Sequence, residues 1–286
     1  MSDPILQFED VSLSYDDKLV LDRINLTVNP GDTYILLGAA GSGKTVLLKL
    51  AMTLVKPDAG RIRLLGHDIT DLKETDLFEI RREVGVLFQE GGLFDSLTVG
   101  ENVAYPLRNQ KLLSAPEEEI NGRVLESLEF VELGGTLDKF PSELSGGMRR
   151  RAGIARANVT NPKLSLYDSP TAGLDPITAY TIMSLILKQR DLRKTTTVLA
   201  THRYQDGAMA ANYRWDDGTH DIVRVAPYGQ YADLKTTFIV MEEGRIAFAG
   251  TQAQLEASRD PYVSQFVLHQ PPPKLEQSGA RGHLPA

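Results

Sequence analysis

The residues Gly38-Ala39-Ala40-Gly41-Ser42-Gly43-Lys44-Thr45 follow a pattern of glycine, four residues, then Gly-Lys-Thr. That spacing suits phosphate binding. Glycines let backbone N–H groups close around an anion, a helix N-terminus adds positive potential, a lysine reaches the β- and γ-phosphates, and a threonine hydroxyl is a ligand for Mg2+. Lys44 and Thr45 are the residues placed for those last two roles. Such a site also needs a carboxylate for the metal at the end of a neighbouring strand, and Asp168 directly follows the apolar run Leu164-Ser165-Leu166-Tyr167. Alone, an aspartate there is commonly a turn or helix cap. Paired with the octet it becomes a metal-binding candidate.

These groups need a scaffold, and apolar spacing predicts one. Thr33-Tyr34-Ile35-Leu36-Leu37, just before the octet, is the short apolar run of a parallel strand buried on both faces. A helix is predicted over Thr45–Leu54. Two further buried strands, Leu164–Tyr167 and Thr197–Ala200, flank a helix over Ile177–Leu187, and that order implies a parallel sheet with right-handed crossovers. Ile5–Val28 alternates apolar and polar, which predicts a small antiparallel β-layer. Pro116–Ala157 favours helices, with Ile120, Val124, Leu125, Leu128 and Val131 on one face. The predicted fold is α/β, a P-loop (RecA-like) parallel sheet core with an N-terminal antiparallel β-subdomain and an inserted helical subdomain. One nucleotide-binding domain spans 1–269, with the helical subdomain over about 91–160. Asp217-Gly218 between two apolar runs predicts a hairpin inside an insert over about 212–235, and the proline-rich 270–286 reads as a flexible or partner-docked tail.

Leu144-Ser145-Gly146-Gly147-Met148 adds a second group of donors. A serine and two glycines at a helix start offer N–H and hydroxyl groups to a γ-phosphate held by another subunit. With this motif upstream of Asp168, the chain resembles the ABC (ATP-binding cassette) ATPases over about Ile5–Gly250. The resemblance implies ATP with Mg2+ and extends the site residue by residue. Tyr15 matches the aromatic that stacks on adenine, and Gln89 the Q-loop glutamine that senses Mg2+ and the membrane partner. Ala172-Gly173-Leu174-Asp175 resembles the D-loop, and His202 the switch histidine that contacts the γ-phosphate. One position departs from the pattern. Ser169 stands where most members carry a glutamate that polarises the attacking water, and a hydroxyl cannot act as that base at neutral pH. The expectation is a chain that binds ATP and closes but turns over slowly. Arg149-Arg150-Arg151 reads as a solvated basic face with no catalytic role, and the long segment after His202 receives no role either.

Gly91-Gly92-Leu93-Phe94-Asp95-Ser96-Leu97-Thr98-Val99 and Asn102-Val103-Ala104-Tyr105-Pro106-Leu107 narrow the resemblance to the ATPases of MCE (mammalian cell entry) lipid transporters. That implies phospholipid movement between bacterial membranes. It also implies a second cassette of the same chain, a transmembrane permease and further MCE-system subunits, with the protein peripheral at the cytoplasmic face of the inner membrane. An apolar groove rimmed by Phe94, Leu97 and Val99 beside Gln89 would take a coupling helix of the permease. Composition limits the alternatives. A net charge of −7 and a pI near 5.3 argue against nucleic acid as partner. The absence of cysteine excludes disulfides, thiolate metal sites and cysteine nucleophiles. No apolar run approaches the ~20 residues that span a bilayer, and Met1-Ser2-Asp3-Pro4 lacks a signal-peptide pattern. A DNA-repair or chromosome-maintenance ABC ATPase would carry heptad coiled coils or zinc cysteines, and a GTPase an Asn-Lys-x-Asp motif; the chain has none of these. A nucleotide-gated module that hydrolyses poorly stays open through Ser169.

Overall fold

The alternating N-terminal run forms β1 (Leu6–Tyr15) and β2 (Lys18–Val28), paired antiparallel with Leu6 opposite Val28 and Tyr15 opposite Lys18. The computed structural model describes residues 3–16, 18–109, 116–227, 230–232 and 235–268, so the expectation for the tail 270–286 lies outside the described residues. Next come the wholly buried β3 (Thr33–Leu37) and, after the glycine-rich turn, α1 (Lys44–Ala51). This helix stops short of the expected Leu54 because the chain turns at Thr53, which adopts φ 58°. β4 (Ala59–Leu64) and β5 (His67–Asp68) return to the first sheet, whose order is β2-β1-β4-β5.

α2 (Glu74–Arg81) leads to β6 (Val84–Leu87), and then the helical arm begins with α3 (Val99–Arg108), α4 (Glu117–Phe130) and α5 (Gly146–Asn158). A capping box starts α3: Thr98 Oγ1 accepts from Glu101 N at 3.2 Å while Glu101 Oε2 accepts from Thr98 N at 2.8 Å. The box sets the helix phase so that Val99 points inward, fully buried, and does not rim a groove as its sequence neighbourhood suggests.

The chain then alternates through β7 (Leu164–Asp168), α6 (Pro176–Arg193), β8 (Thr196–Ala200) and α7 (Tyr204–Asn212). Asp175 caps α6 at its start and Lys194, at φ 53°, ends it, so the helix runs well beyond the expected Leu187. β9 (Tyr213–Asp216) and β10 (Asp221–Arg224) pair as a hairpin along α6. β11 (Thr236–Glu242), β12 (Arg245–Gly250), α8 (Gln252–Glu256) and α9 (Pro261–Leu268) complete the described fold.

The central sheet has the order β12-β11-β3-β8-β7-β6, parallel except for β12. Its side chains alternate between two cores. Ile35 and Leu37 of β3 join the core shared with the helical arm, α6 and α7, whereas Tyr34 and Leu36 join the core under α1 and the antiparallel sheet. Burying each such side chain contributes roughly 1.5–3 kcal/mol. Both faces of these strands are covered, so their C-terminal ends are held at one edge of a rigid platform.

Candidate functional site

Because β3, β6, β7 and β8 run parallel, the loops that follow them all leave at the same edge of the sheet. The turn 38–43 leaves β3, Gln89 follows β6, Asp168 ends β7 with Ser169 next to it, and Thr201-His202 follows β8. Crevices at the carboxyl ends of parallel strands are where such sheets bind ligands.

The glycine-rich turn is shaped for an anion. Gly43 adopts φ 102°, and a Cβ there would lie 2.7 Å from Leu21 Cδ2, so only glycine fits between β2 and the start of α1. Lys44 is 8% exposed and its Nζ donates to Gly38 O and Ala39 O, each at 2.8 Å, and to Ser42 Oγ at 3.3 Å. Burial pushes the Lys44 ammonium below its ordinary range, and the neighbouring Asp168 carboxylate pulls it back up. Ala39, Ala40, Gly41 and Thr45 are exposed at the mouth of the turn. The C-terminal α9 also reaches this turn: the Tyr262 hydroxyl accepts from Ala39 N at 3.4 Å and donates to Met241 O at 3.0 Å.

Asp168 is buried, and the Ser169 hydroxyl donates to its Oδ1 at 3.3 Å. Ser169 itself adopts φ 49°, with its N–H held by Ala200 O at 2.8 Å. A non-glycine residue in that left-handed region stores strain, and such strain gathers at working sites. Gln89 and His202 are both exposed at this edge. Tyr15 ends β1 on the adjoining sheet and is 44% exposed. Among the described residues, no group of three or more His, Cys, Asp or Glu side chains gathers around a metal position. At this edge Thr45 offers a hydroxyl, Asp168 a carboxylate and Gln89 an amide oxygen, hard oxygen donors of the kind that suit Mg2+.

The second donor group lies apart. Ser145 caps α5, its Oγ accepting from Met148 N at 3.2 Å, and is exposed. A Cβ on Gly147 would come within 2.6 Å of Thr178 Cγ2, so the start of α5 packs against the start of α6. There Asp175 accepts from Ile177 N and Thr178 N at 3.0 Å and from the Thr178 hydroxyl, which hold its carboxyl below the usual range. Gly146 lines a cleft of about 640 Å3 with Gln89, Arg149, Ala172 and Gly173, and no residue of the turn 38–45 is part of that lining.

Three features here escaped the sequence reading. Arg149–Arg151 is not a solvated face: Arg150 is buried with its guanidinium on Ala172 O, Arg149 Nη1 donates to Leu144 O at 2.8 Å, and Arg151 Nη1 to Val131 O at 3.2 Å. Successive helical residues point about 100° apart, so three adjacent arginines cannot share one exposed face. Asp206, also overlooked, lies one turn beyond His202 among small residues, the pattern of a buried helix face. Nothing in the spacing of Tyr262 announced its reach to the turn.

A separate groove of about 570 Å3 lies on the helical arm, lined by Phe78, Phe88, Phe94, Tyr105, Pro106 and Arg156 among others. Phe94 and Tyr105 pack with ring centroids 4.7 Å apart, and Arg156 sits over the Phe94 ring. Neither Leu97, which is half-buried, nor the buried Val99 is part of that lining, so of the three expected rim residues only Phe94 lines the groove.

This arrangement is that of a P-loop ATPase cassette, and comparison with known proteins agrees. A family model described as ABC transporter matches residues 21–172. The chain belongs to the ABC transporter family as its ATP-binding, ATP-hydrolysing subunit. It is 35% identical over 267 residues to the intermembrane phospholipid transport system ATP-binding protein MlaF of Haemophilus influenzae, covering 93% of this chain and 91% of that one. Against the Escherichia coli MlaF the identity is 33% over 263 residues, covering 92% and 88%. A dimeric ATP-binding cassette, MJ0796, in a post-hydrolysis state bound to ADP and Pi, superposes with a TM-score of 0.72 at 28% identity, covering 86% of this chain and 98% of that one. No described helix is long and apolar enough to cross a membrane.

Proposed function

We propose that the chain energises a phospholipid transporter of the MCE type, with ATP closing two copies head to tail and with hydrolysis slowed by Ser169. The observation that carries this reading is the division of candidate phosphate donors between two elements. Lys44 and the N–H groups of the turn lie at the edge of the sheet, while Ser145, Gly146 and Gly147 lie at the start of α5, beside Thr178 of α6. A γ-phosphate bound by Lys44 would leave one side open, and the exposed cap of a second copy supplies the missing donors. The dimeric cassette related to this chain supports that arrangement.

Within one site, Lys44 neutralises phosphate charge and Tyr15 offers a ring face to the adenine. His202 and the Asp175 loop stand ready at the γ-phosphate and at the partner. When bound, Mg2+ supplies charge neutralisation between phosphate oxygens, and Thr45, Asp168 and Gln89 are the groups that would hold it. Ser169 has no base to offer a water, its hydroxyl being turned to Asp168. Likeness to the two MlaF proteins across nearly the whole chain supports lipid as cargo. The groove around Phe94 and Tyr105, beside the Q-loop, is the docking place for a permease helix, which would hold the protein at the cytoplasmic face of the inner membrane alongside other MCE-system subunits.

The test is to purify the chain with its native membrane partner, measure phosphate release, and identify co-purified lipids by mass spectrometry. Slow release that Lys44→Ala abolishes, with phospholipid in the sample, is the expected result. Release that is insensitive to Lys44→Ala, or a complex carrying no lipid, would contradict it.

A further inference from the structure

Two loops of the nucleotide site leave adjacent strands, and the ladder that aligns them ends at the pair Asp168–Ala200. Beyond that pair, the Ser169 N–H to Ala200 O bond is followed by a side-chain link. Thr171, two residues past Ser169, donates its hydroxyl to Asp206 Oδ2 at 2.6 Å. Thr201, adjoining His202, donates its hydroxyl to the same oxygen at 2.7 Å. Thr201 Oγ1 in turn accepts from Arg203 N at 3.0 Å. All three side chains are about 1% exposed.

We propose that Asp206 is a positioning residue that locks the loop carrying Asp168 and Ser169 to the loop carrying His202. This rests on the reading of that sheet edge as the nucleotide site. An ionised carboxylate only accepts hydrogen bonds, so both threonine hydroxyls must donate to it, which fixes their rotation. That leaves the Thr201 oxygen free for the Arg203 N–H, so one buried oxygen sets two loops. Burial holds the Asp206 carboxyl above its usual range, opposed by both hydroxyls and by Arg203 and His202. A buried anion is weak evidence for stability, since apolar packing commonly serves as well. The link between loops is the better account of its presence, because small displacements of groups around a reacting centre can cost rate about 100-fold without loss of binding.

The test uses the full chain assembled with its membrane partner, comparing kcat for phosphate release with affinity for a fluorescent ATP analogue. Asp206→Ala should lower kcat about tenfold or more while affinity stays within about threefold. Asp206→Asn keeps one acceptor oxygen for both hydroxyls and should recover most of the rate. Thr171→Val, which keeps the shape of the side chain, should lower kcat severalfold and add little to Asp206→Ala, as expected for members of one network; it also carries the test if Asp206→Ala does not fold. Unchanged kcat in Thr171→Val, or kcat and affinity falling together, would overturn the proposal. So would an equal loss in Asn and Ala variants. Lys44→Ala keeps the two readings distinct: if it binds the analogue as the wild type does, the nucleotide-site assignment fails whatever Asp206 does.

Discussion

At the residue scale, the slow hydrolysis proposed above turns on Ser169, next to Asp168. General-base assistance is worth ~10²–10⁴-fold in rate, and Ser169 cannot provide it. Ser169→Glu should raise steady-state ATP hydrolysis at least about tenfold with little change in nucleotide affinity. Equal turnover of the two forms in the full complex would show that another group activates the water. Asp206 yields a stability prediction with a defined sign. Its carboxyl is held above the ordinary 3.8 in the folded state, so the fold binds that proton more tightly than the unfolded chain does. Its contribution is largest below that value and is lost as pH rises through the raised one. Asp206→Asn should therefore gain on the wild type as pH rises above 3.8, the difference in Tm becoming more positive, as scanning calorimetry would detect. A difference independent of pH would contradict the assignment. The residues of the glycine-rich turn, Asp168 and Ser145 were legible in the sequence because each has a fixed type at a fixed spacing. Arg150, Asp206 and Tyr262 were not, because what defines them is a partner distant in sequence: Ala172, Thr171 and Ala39.

At the element scale, the strands that carry the site were legible because they are short, wholly apolar runs. β6 was not, since Val84–Leu87 alternates between half-buried and buried positions as an edge strand does and gives only four residues of signal. The return of β4 to β1 was also hidden. It depends on pairs such as Leu6 with Leu64, which no local pattern announces. The turn before α1 gives a direct test of how tightly β2 and α1 enclose it. Gly43→Ala would set a methyl against Leu21 in a left-handed backbone, a strain of about 1–3 kcal/mol, and should weaken ATP binding as measured by calorimetric titration. Unaltered affinity would mean that the turn relaxes freely. On the helical arm, the sequence indicated a groove near Phe94 but wrongly put Leu97 and Val99 on its rim; the capping box that turns Val99 inward acts through helix phase. Phe94 is 43% exposed, so Phe94→Asp should leave folding intact yet abolish co-purification with the membrane partner. Full co-purification of that variant would place docking elsewhere.

At the scale of the whole molecule, the central claim is that one chain holds two halves of different sites. Lys44 and Asp168 share the sheet edge, while Ser145 presents its cap to solvent from α5. The slow hydrolysis proposed for Ser169 would make the closed state long-lived and therefore observable. The most direct measurement is the mass of the purified chain by light scattering with and without ATP and Mg2+, for the wild type and for Ser145→Arg. The account predicts that ATP doubles the mass of the wild type, whereas Ser145→Arg binds ATP and keeps the mass of a single chain, because bulk and charge block the cap that must close over the partner's phosphate. Dimerisation of Ser145→Arg in ATP to the same extent as the wild type would contradict the shared site.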